Sequence, residues 1–466
     1  MFSSYAYFRK GPALHLSLLL TEFFPGKFPV FYIFSDIRKE PPLKRTRKDI
    51  LDIFVIGFAL FSMFFGAGNV IFPPYLGLGC GKQWFLGFVC YYLADIGLAL
   101  LALFAILRRG GPEGITRRLG KVPAAILMSA IVLCIGPMLA IPRTAATTYE
   151  MSLAPLVSGF SPALVSALFF LLILFLCVRE SAVVDIVGKV LTPALLIGLL
   201  VLIVKGVMDP IGPVPDRVLV DNVPMTGIEA GYQTMDVLAA MVFGIIVLKS
   251  AKAKGHEDPQ SLFRVVAGAG AVAGAALLVV YLGLTYLGVT MSRFFDLSVL
   301  RTYLVVAIVR NLMGYAGIVL FSIVVALACV TTAVALVSSA AGYFSTLSGG
   351  RLRYSWLAAA ICLFSAVFSC IGLDQIVSIA APILNIVYPP TLVLIFLSFF
   401  DRHIHSDWVF RMAALGALLT SLLTTADFGA SMPFLNALPL SAYGFGWVLP
   451  AAIFGVIGGL IGRKTA

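Results

Sequence analysis

Two glycines and an asparagine interrupt the first long apolar segment of the chain. Residues 58–77 read FALFSMFFGAGNVIFPPYLG, with Gly66, Gly68 and Asn69 near the centre and a proline pair after them. Glycine permits unwound backbone. The half-helix after an unwound point would offer free amides that suit a carboxylate, and the half-helix before it would offer free carbonyls that suit a cation. The alternative is a close helix contact through small residues, with the prolines ending the segment.

An acidic residue interrupts a second apolar segment. Residues 231–244 read GYQTMDVLAAMVFG, which places Asp236 near the start of an apolar run and Gly244 farther in. An uncompensated charge is costly inside a membrane, so an acid at that depth is functional by default. Asp236 could bind a sodium ion, pair with an ammonium group, or cap the half-helix that follows it.

The composition places both segments in a membrane. Sixty per cent of the residues are hydrophobic and 12% are charged, and the mean hydropathy is +1.02, far from the values of a soluble domain. Because a bilayer core needs about 20 apolar residues per helical crossing, the sequence predicts an all-α membrane protein with about twelve transmembrane helices. The predicted spans are 50–78, 84–107, 122–150, 162–178, 183–207, 232–250, 262–289, 311–345, 354–372, 375–400, 407–426 and 442–462.

Lysine and arginine residues indicate how the spans are oriented. They cluster before span one, between spans two and three, after spans six and eight, and at the end of the chain, which all lie on one side if twelve spans alternate. The segment between spans five and six is acidic and falls on the other side. Since cytoplasmic loops carry the basic excess, both termini are predicted to be cytoplasmic. The net charge of +11 follows from this topology rather than from nucleic-acid binding.

Several classes of function find no support in the sequence. All four histidines lie outside the predicted spans, which argues against a proton relay or a transition-metal site in the membrane. The chain lacks a phosphate-binding glycine loop, a nucleophile elbow and a convergent catalytic set, so neither nucleotide-driven pumping nor an enzyme is expected, and no organic cofactor. No filter-like loop indicates a channel. The seven cysteines form no C-x-x-C pair and are expected to pack in the core.

Five sequence blocks together resemble the bacterial branched-chain amino acid:cation symporters. They follow in order over nearly everything from about Lys44 to the C-terminus: GAGNVIFPP at 66–74, GPMLAIPRTAATTYEMSLAPL at 136–156, GYQTMDVLAAMVFG at 231–244, ALACVTTAVAL at 326–336 and YPP at 388–390. The resemblance implies import of leucine, isoleucine and valine by sodium symport with alternating access, across a bacterial inner membrane.

The same resemblance implies a LeuT-like fold of two inverted five-helix repeats with broken helices one and six. Repeat one would cover about 49–208, repeat two about 231–401, and two extra helices about 406–463, within a single transporter domain at 44–466. Residues 1–43 depart from the family pattern. They are expected to be disordered, or a start-site overcall ahead of the basic leader LKRTRKD at 43–49.

The resemblance also places the substrate at the two breaks. Backbone amides after the first break would hold the carboxylate, and carbonyls near Asp236 would receive the ammonium group. Apolar side chains from spans three, six and eight would enclose the aliphatic tail, and such a pocket would let the three substrates compete, because one methylene is worth only about 1 to 3 kcal/mol. The residues expected to bind the substrate are Gly66, Ala67, Gly68, Asn69, Met235 and Asp236.

The coupling ion would bind beside the first break. Sodium prefers hard oxygen ligands, and span eight carries one carbonyl followed a helical turn later by two adjacent hydroxyls. Membrane threonines often bond instead to the carbonyl of the preceding turn, and Asn69 could coordinate a second ion or merely cap its half-helix. The expected sodium ligands are Ser62, Phe65, Ala328, Thr331 and Thr332.

Three questions stay open at the level of sequence. Proton coupling through Asp236 competes with sodium coupling, and an amino acid exchanger of the same fold is a further alternative. Arg143 could attract a carboxylate, but it is interpreted as an anchor at the end of span three, with Glu150 nearby. Asp95, in span two, is expected to make a hydrated contact or to find a partner within the bundle.

Overall fold

A computed structural model describes residues 47–157, 159–178, 192–426, 435 and 437–465. The predicted extension at 1–43 and the start of predicted span five lie outside these residues. All regular secondary structure in the described part of the chain is helical. The main helices are α1 Arg47–Phe64, α2 Ala67–Cys80, α3 Trp84–Tyr92, α4 Leu98–Arg109, α5 Pro112–Thr116, α6 Lys121–Leu133, α7 Ala140–Thr147, α8 Pro162–Val178, α9 Thr192–Met208, α10 Val223–Thr234, α11 Asp236–Ala253, α12 Pro259–Thr290, α13 Arg301–Leu347, α14 Tyr354–Phe368, α15 Leu373–Phe399, α16 Asp407–Thr425 and α17 Val448–Thr465.

These helices supply the predicted crossings. Within the described ranges, eight helical stretches are long and apolar enough to cross a membrane, and three shorter apolar helices, in α8, α9 and α17, join them. One of the eight runs from α2 through α4 and contains both the second half of span one and all of span two. With α1 as the first half of span one, the order of crossings agrees with the twelve predicted spans.

Span one is broken where the glycines predict a break. Helix α1 ends at Phe64 and α2 begins at Ala67, so Phe65 and Gly66 form a non-helical link. Gly66 has an extended backbone, with φ −118° and ψ −165°. The prolines that follow lie inside α2 and do not end the span.

Span six is broken at a residue that is not glycine. Met235 separates α10 from α11 and adopts a left-handed conformation with φ +69°, a region that side-chain-bearing residues seldom occupy. The predicted start of this span at residue 232 is wrong, because the first half-helix begins at Val223. Asn222 caps that half-helix by accepting a hydrogen bond from the amide of Met225 at 3.1 Å, and the polar residues in α10 lower its hydropathy below that of an ordinary span.

Spans three and eight are also irregular. The helix of span three passes through two π-helical segments, Cys134–Met138 and Thr148–Leu153, which flank α7. Helix α13 begins at Arg301, ahead of the predicted start at 311, and kinks at Gly314, where φ is +64°. The long apolar run of span eight therefore includes a change of direction at its start.

The first half of span one is tied to the segment between α11 and α12. Asp52 in α1 accepts a hydrogen bond from Lys254 at 3.0 Å and pairs with His256 Nε2 at 3.0 Å. The other ring nitrogen of His256 lies 2.9 Å from the hydroxyl of Ser261. Asp52 and His256 are both buried. This contact fixes the position of α1, and hence of the carbonyls that end it beside the break.

The second half of span one packs against α12 at backbone contact distance. A Cβ atom on Gly288 would lie 1.9 Å from the carbonyl oxygen of Pro74, and one on Gly77 would lie 2.0 Å from that of Thr285. Such an approach requires glycine on both helices. Close contact through small residues, the alternative considered for the first break, therefore occurs farther along the same span.

Gly288→Ala is expected to lower the free energy of unfolding by about 3 kcal/mol, because the added methyl group would meet backbone that cannot rotate away. Gly342→Ala in α13 is the matched control, since a Cβ atom at that residue would have no heavy atom within 4 Å outside its own helical turn. Thermal unfolding of both purified variants in detergent measures the difference. Equal melting temperatures would contradict the close approach of α2 and α12.

Candidate substrate and cation site

A small cavity lies between the two helix breaks. It measures about 30 Å³, room for a few water molecules at most, so the cavity must widen before an aliphatic side chain enters. Apolar side chains from spans three, six and eight form part of its wall, including Ile135, Phe243 and Leu336. Six residues predicted from the sequence line it: Gly66, Ala67, Asn69, Met235, Asp236 and Thr332.

Asn69 connects three helices at the cavity wall. Its side-chain oxygen accepts a hydrogen bond from the amide of Gly66 at 3.2 Å, which caps α2. Its amide nitrogen donates to a carboxyl oxygen of Asp236 at 2.9 Å and to the hydroxyl of Tyr281 at 2.6 Å. Asn69 and Tyr281 are both almost completely buried. The asparagine therefore joins the first break to the second and to α12.

Asp236 is the first residue of α11 and is buried. Its carboxyl is within hydrogen-bonding reach of the carboxyl of Asp95, which comes from a π-helical segment between α3 and α4. Asp95 also accepts a hydrogen bond from the hydroxyl of Thr234 at 2.7 Å. The expectation that Asp95 has a partner within the bundle is confirmed, and that partner belongs to the second break.

Arg143 lies at the core of the site rather than at the end of a span. It is buried, and its guanidinium donates to the carbonyl oxygens of Gln233 at 2.7 Å and Thr234 at 3.2 Å. These carbonyls end α10, where no following helical turn can pair with them. The guanidinium also lies 5.8 Å from the ring centre of Phe72. Arg143 thus supplies the hydrogen-bond donors that these carbonyls lack at the break in span six.

Glu150, expected near Arg143, has other partners. Glu150 instead accepts hydrogen bonds from the hydroxyl of Thr302 at 2.8 Å and from the amide of Leu373 at 2.9 Å. Both residues lie in one sequence block, but α7 carries Arg143 inward while the π-helical segment after it carries Glu150 to a different set of helices. Although Arg143 and Glu150 are close in sequence, their side chains therefore contact different helices.

The amides after the first break differ in their surroundings. The amide of Gly66 is engaged by Asn69. A Cβ atom on Gly68 would lie 2.8 Å from a guanidinium nitrogen of Arg143, so this glycine leaves room for the arginine. The start of α2 thus combines a helix N-terminus with an adjacent guanidinium, and both attract an anionic group.

The two threonines of span eight have different environments. The hydroxyl of Thr331 donates to the carbonyl of Ala328 at 2.9 Å, the intrahelical bond that membrane threonines often make. The hydroxyl of Thr332 is buried and has no hydrogen-bond partner. A Cβ atom on Gly66 would lie 3.4 Å from that hydroxyl oxygen. Thr332 therefore presents an unpaired oxygen directly to the first break.

The other predicted ion ligands lie around the same place. Ser62 lies in the last turn of α1, Phe65 lies in the link that follows, and Ala328 lies one turn before Thr332 in α13. These three positions do not line the cavity, but Ser62 and Phe65 are next in sequence to Met63 and Gly66, which do. Within the described ranges, no group of three or more histidine, cysteine, aspartate or glutamate side chains could hold a metal ion. A cation here would rely on carbonyl and hydroxyl oxygens.

Helices broken at facing positions around a small cavity are the arrangement expected of the LeuT-like inverted-repeat fold. A Na+-coupled sialic acid symporter in a substrate-bound outward-open state has a TM-score of 0.59 and 12% identity, over 88% of this chain and 90% of the symporter. Mhp1, a nucleobase-cation-symport-1 family transporter, has a TM-score of 0.59 and 13% identity, over 89% of this chain and 93% of Mhp1. At such low identities the similarity establishes the fold alone.

The chain belongs to the branched-chain amino acid transport protein family, whose model matches residues 49–465. The branched-chain amino acid permease BraB of Bacillus subtilis (strain 168) is 35% identical over 424 residues, covering 88% of this chain and 95% of the permease. The resemblance found in the sequence blocks is therefore confirmed, and the protein is an integral membrane transporter of this family.

Proposed function

We propose that this protein imports leucine, isoleucine and valine together with sodium, by alternating access to the cavity between the breaks. One observation supports this most directly. The unpaired hydroxyl of Thr332 and the network around Asp236 lie on the same small cavity. A cation and a zwitterion bound there would lie close enough to stabilise one another, which is the physical basis of coupled transport.

The cavity wall suits the parts of an aliphatic amino acid. The positive N-terminus of α2 and the guanidinium of Arg143 would attract the carboxylate. The carboxyl of Asp236 and the carbonyls near it would receive the ammonium group, while Ile135, Phe243 and Leu336 would contact the aliphatic tail. An apolar pocket discriminates weakly among branched tails, so the three substrates are expected to compete.

The cation would bind between the end of α1 and Thr332. Carbonyl and hydroxyl oxygens are the ligands that hard cations prefer. The set comprises Ser62, Phe65, Ala328, Thr331 and Thr332. Thr332 fits this role best, because a buried hydroxyl without a partner costs free energy that an ion would recover. Thr331 would have to share its carbonyl partner, Ala328, with the ion.

Thr332→Ala is expected to raise the sodium concentration required for half-maximal leucine uptake roughly tenfold, the equivalent of about 1.4 kcal/mol of ion binding. The physical reason is the loss of one of a few oxygen ligands. The measurement is uptake of radiolabelled leucine into proteoliposomes at a series of external sodium concentrations.

Thr346→Ala is the matched control for this prediction. Thr346 lies in the same helix, and its hydroxyl donates to the carbonyl of Gly342 at 3.0 Å, far from the cavity. Its sodium dependence should equal that of the wild type. An unchanged sodium requirement in Thr332→Ala would remove this hydroxyl from the ion site.

Proton coupling is the second candidate, and the buried carboxyl of Asp236 on the cavity favours it. In that case an inward proton gradient alone would drive leucine accumulation, and Thr332→Ala would have no effect on it.

The proposed setting is the bacterial inner membrane with both termini cytoplasmic, which the basic loops support.

A further inference from the structure

Two buried carboxyl groups lie together, one on the cavity wall and one away from it, and neither forms an ion pair. Asp95 is completely buried and Asp236 is 4% exposed. Each is within hydrogen-bonding reach of the other. Among the residues that the structure describes, no lysine, arginine or histidine nitrogen lies within 4 Å of either carboxyl. Two ionised carboxylates at such a distance in a buried site would repel strongly.

Hydrogen bonds account for two of the four carboxyl oxygens of this pair. One oxygen of Asp95 accepts from Thr234, and one oxygen of Asp236 accepts from Asn69. The second oxygen of Asp95 is buried and has no donor. Between two carboxyl groups a hydrogen bond needs a proton on one of them, since ionised carboxylates are acceptors only. A proton on either acid would satisfy this oxygen and join the pair. Asp236 begins α11 and accepts from Asn69, and both a helix N-terminus and a hydrogen-bond donor favour the ionised carboxyl. The hydroxyl of Thr234 divides its one proton between Asp95 and the carbonyl of Gly231, so Asp95 is the acid that holds the proton.

The charges around the pair also indicate that the two acids hold one proton between them. Arg143 is the nearest positive group, and its guanidinium donates to backbone carbonyls instead of to a carboxyl. It balances one negative charge in the cluster. A second negative charge would remain uncompensated in a buried environment, which is very costly. One proton shared between the acids makes the cluster neutral.

We propose that Asp95 holds a proton that it donates to Asp236, so that the pair carries one negative charge, located on the carboxyl that faces the cavity. Asp95 is then a positioning residue. It orients Asp236 by a hydrogen bond, as Asn69 does, and leaves the charge of Asp236 available to the ammonium group of the substrate. The proton stays bound while sodium drives transport. This inference rests on the proposed function for its uptake test.

Other titratable groups face the pair from neighbouring helices. The hydroxyl of Tyr91, from α3, is buried without a partner, and Tyr388, from α15, has a hydroxyl in the same condition. Tyr281, from α12, is engaged by Asn69. Tyr91 is within hydrogen-bonding reach of Asp95, as Asp236 is, and is the rival donor for its free oxygen. Tyr91→Phe therefore distinguishes two possibilities: a hydrogen bond from the tyrosine hydroxyl to Asp95, and a proton held by the acid itself.

Asp95→Asn is the decisive variant, because an asparagine amide can accept from Thr234 and donate to Asp236 as the protonated acid does. It should keep about half or more of the wild-type leucine uptake, whereas Asp95→Ala should lose more than about tenfold, because Thr234 and Asp236 lose a buried partner. The wild type should lose activity toward alkaline pH as the shared proton leaves. The ratio of Asp95→Asn to wild-type uptake should therefore rise with pH.

Three outcomes would overturn the proposal. Asp95→Asn could be as inactive as Asp95→Ala while still monodisperse and thermally stable, which would show that an ionised Asp95 is required. The activity ratio could stay constant with pH, or Tyr91→Phe could remove uptake to the same extent as Asp95→Ala, which would make Tyr91 the donor.

An infrared measurement on the wild type decides the point without a variant. In protein labelled with ¹³C-aspartate, a protonated carboxylic acid band that shifts in D₂O is expected at neutral pH, and its absence would contradict the shared proton. This band does not depend on the transported substrate. If the wild type fails to take up leucine, the proposed function fails, while the band still tests the protonated pair.

Discussion

Asp236→Asn is expected to lower leucine uptake by about a hundredfold to several thousandfold, because removing one partner of a buried charged set costs about 3 to 5 kcal/mol. The carboxyl of Asp236 accepts a hydrogen bond from Asn69, contacts Asp95 and lies on the cavity wall. Asparagine keeps the shape of the side chain but removes the charge that would balance Arg143 and attract an ammonium group.

The matched control for this prediction is Asp216→Asn. Asp216 lies in the exposed segment between α9 and α10, away from the cavity, so its uptake should equal that of the wild type. Initial rates should be measured at saturating sodium, with the amount of folded protein in the proteoliposomes determined for each variant. Uptake by Asp236→Asn within about twofold of the wild type would contradict the role of this carboxyl.

Arg143→Lys is expected to lower uptake by at least tenfold and to reduce the thermal stability of the purified protein. The guanidinium pairs two carbonyls at the end of α10, and each buried carbonyl left without a donor costs about 1 to 3 kcal/mol. Lysine keeps the positive charge but cannot reproduce the planar fork that reaches both oxygens. The change should destabilise the backbone at the second break and weaken binding of the substrate carboxylate.

Arg293→Lys provides the comparison. Arg293 is exposed in the segment between α12 and α13, and its replacement should leave the uptake rate and melting temperature unchanged. Both quantities should be measured on the same preparations, so that a loss of stability can be distinguished from a loss of transport. If Arg143→Lys is less stable but transports at the wild-type rate, the arginine supports the backbone and takes no part in substrate binding.

The first break could be predicted from sequence, whereas the position of the second could not be. Glycine in the middle of an apolar run is a local signal, and Gly66 lies at the break. Met235 is a side-chain-bearing residue in a left-handed conformation, which no local propensity favours. Its conformation is held by tertiary contacts, above all the bonds from Arg143 to the two carbonyls before it.

The partners across helices were the least predictable part of the site. Asp236 and Asn69 each stand out within their own segments, but their contact joins residues far apart in the chain. Tyr281 lies within an apolar run of α12 and gives no signal of its role. The sequence favours a place for Arg143 at the end of a span, because a charge in an apolar segment normally lies near water, whereas in the structure unwound backbone supplies its partners.

Joint movement of a branched-chain amino acid and sodium across the membrane is tested most directly by uptake of ²²Na⁺ into proteoliposomes with and without leucine. We expect that leucine stimulates ²²Na⁺ entry, that an outward-directed leucine gradient reverses the direction of sodium movement, and that Thr346→Ala behaves as the wild type. Leucine that accumulates under a proton gradient while ²²Na⁺ entry stays at the level of empty liposomes would contradict sodium symport.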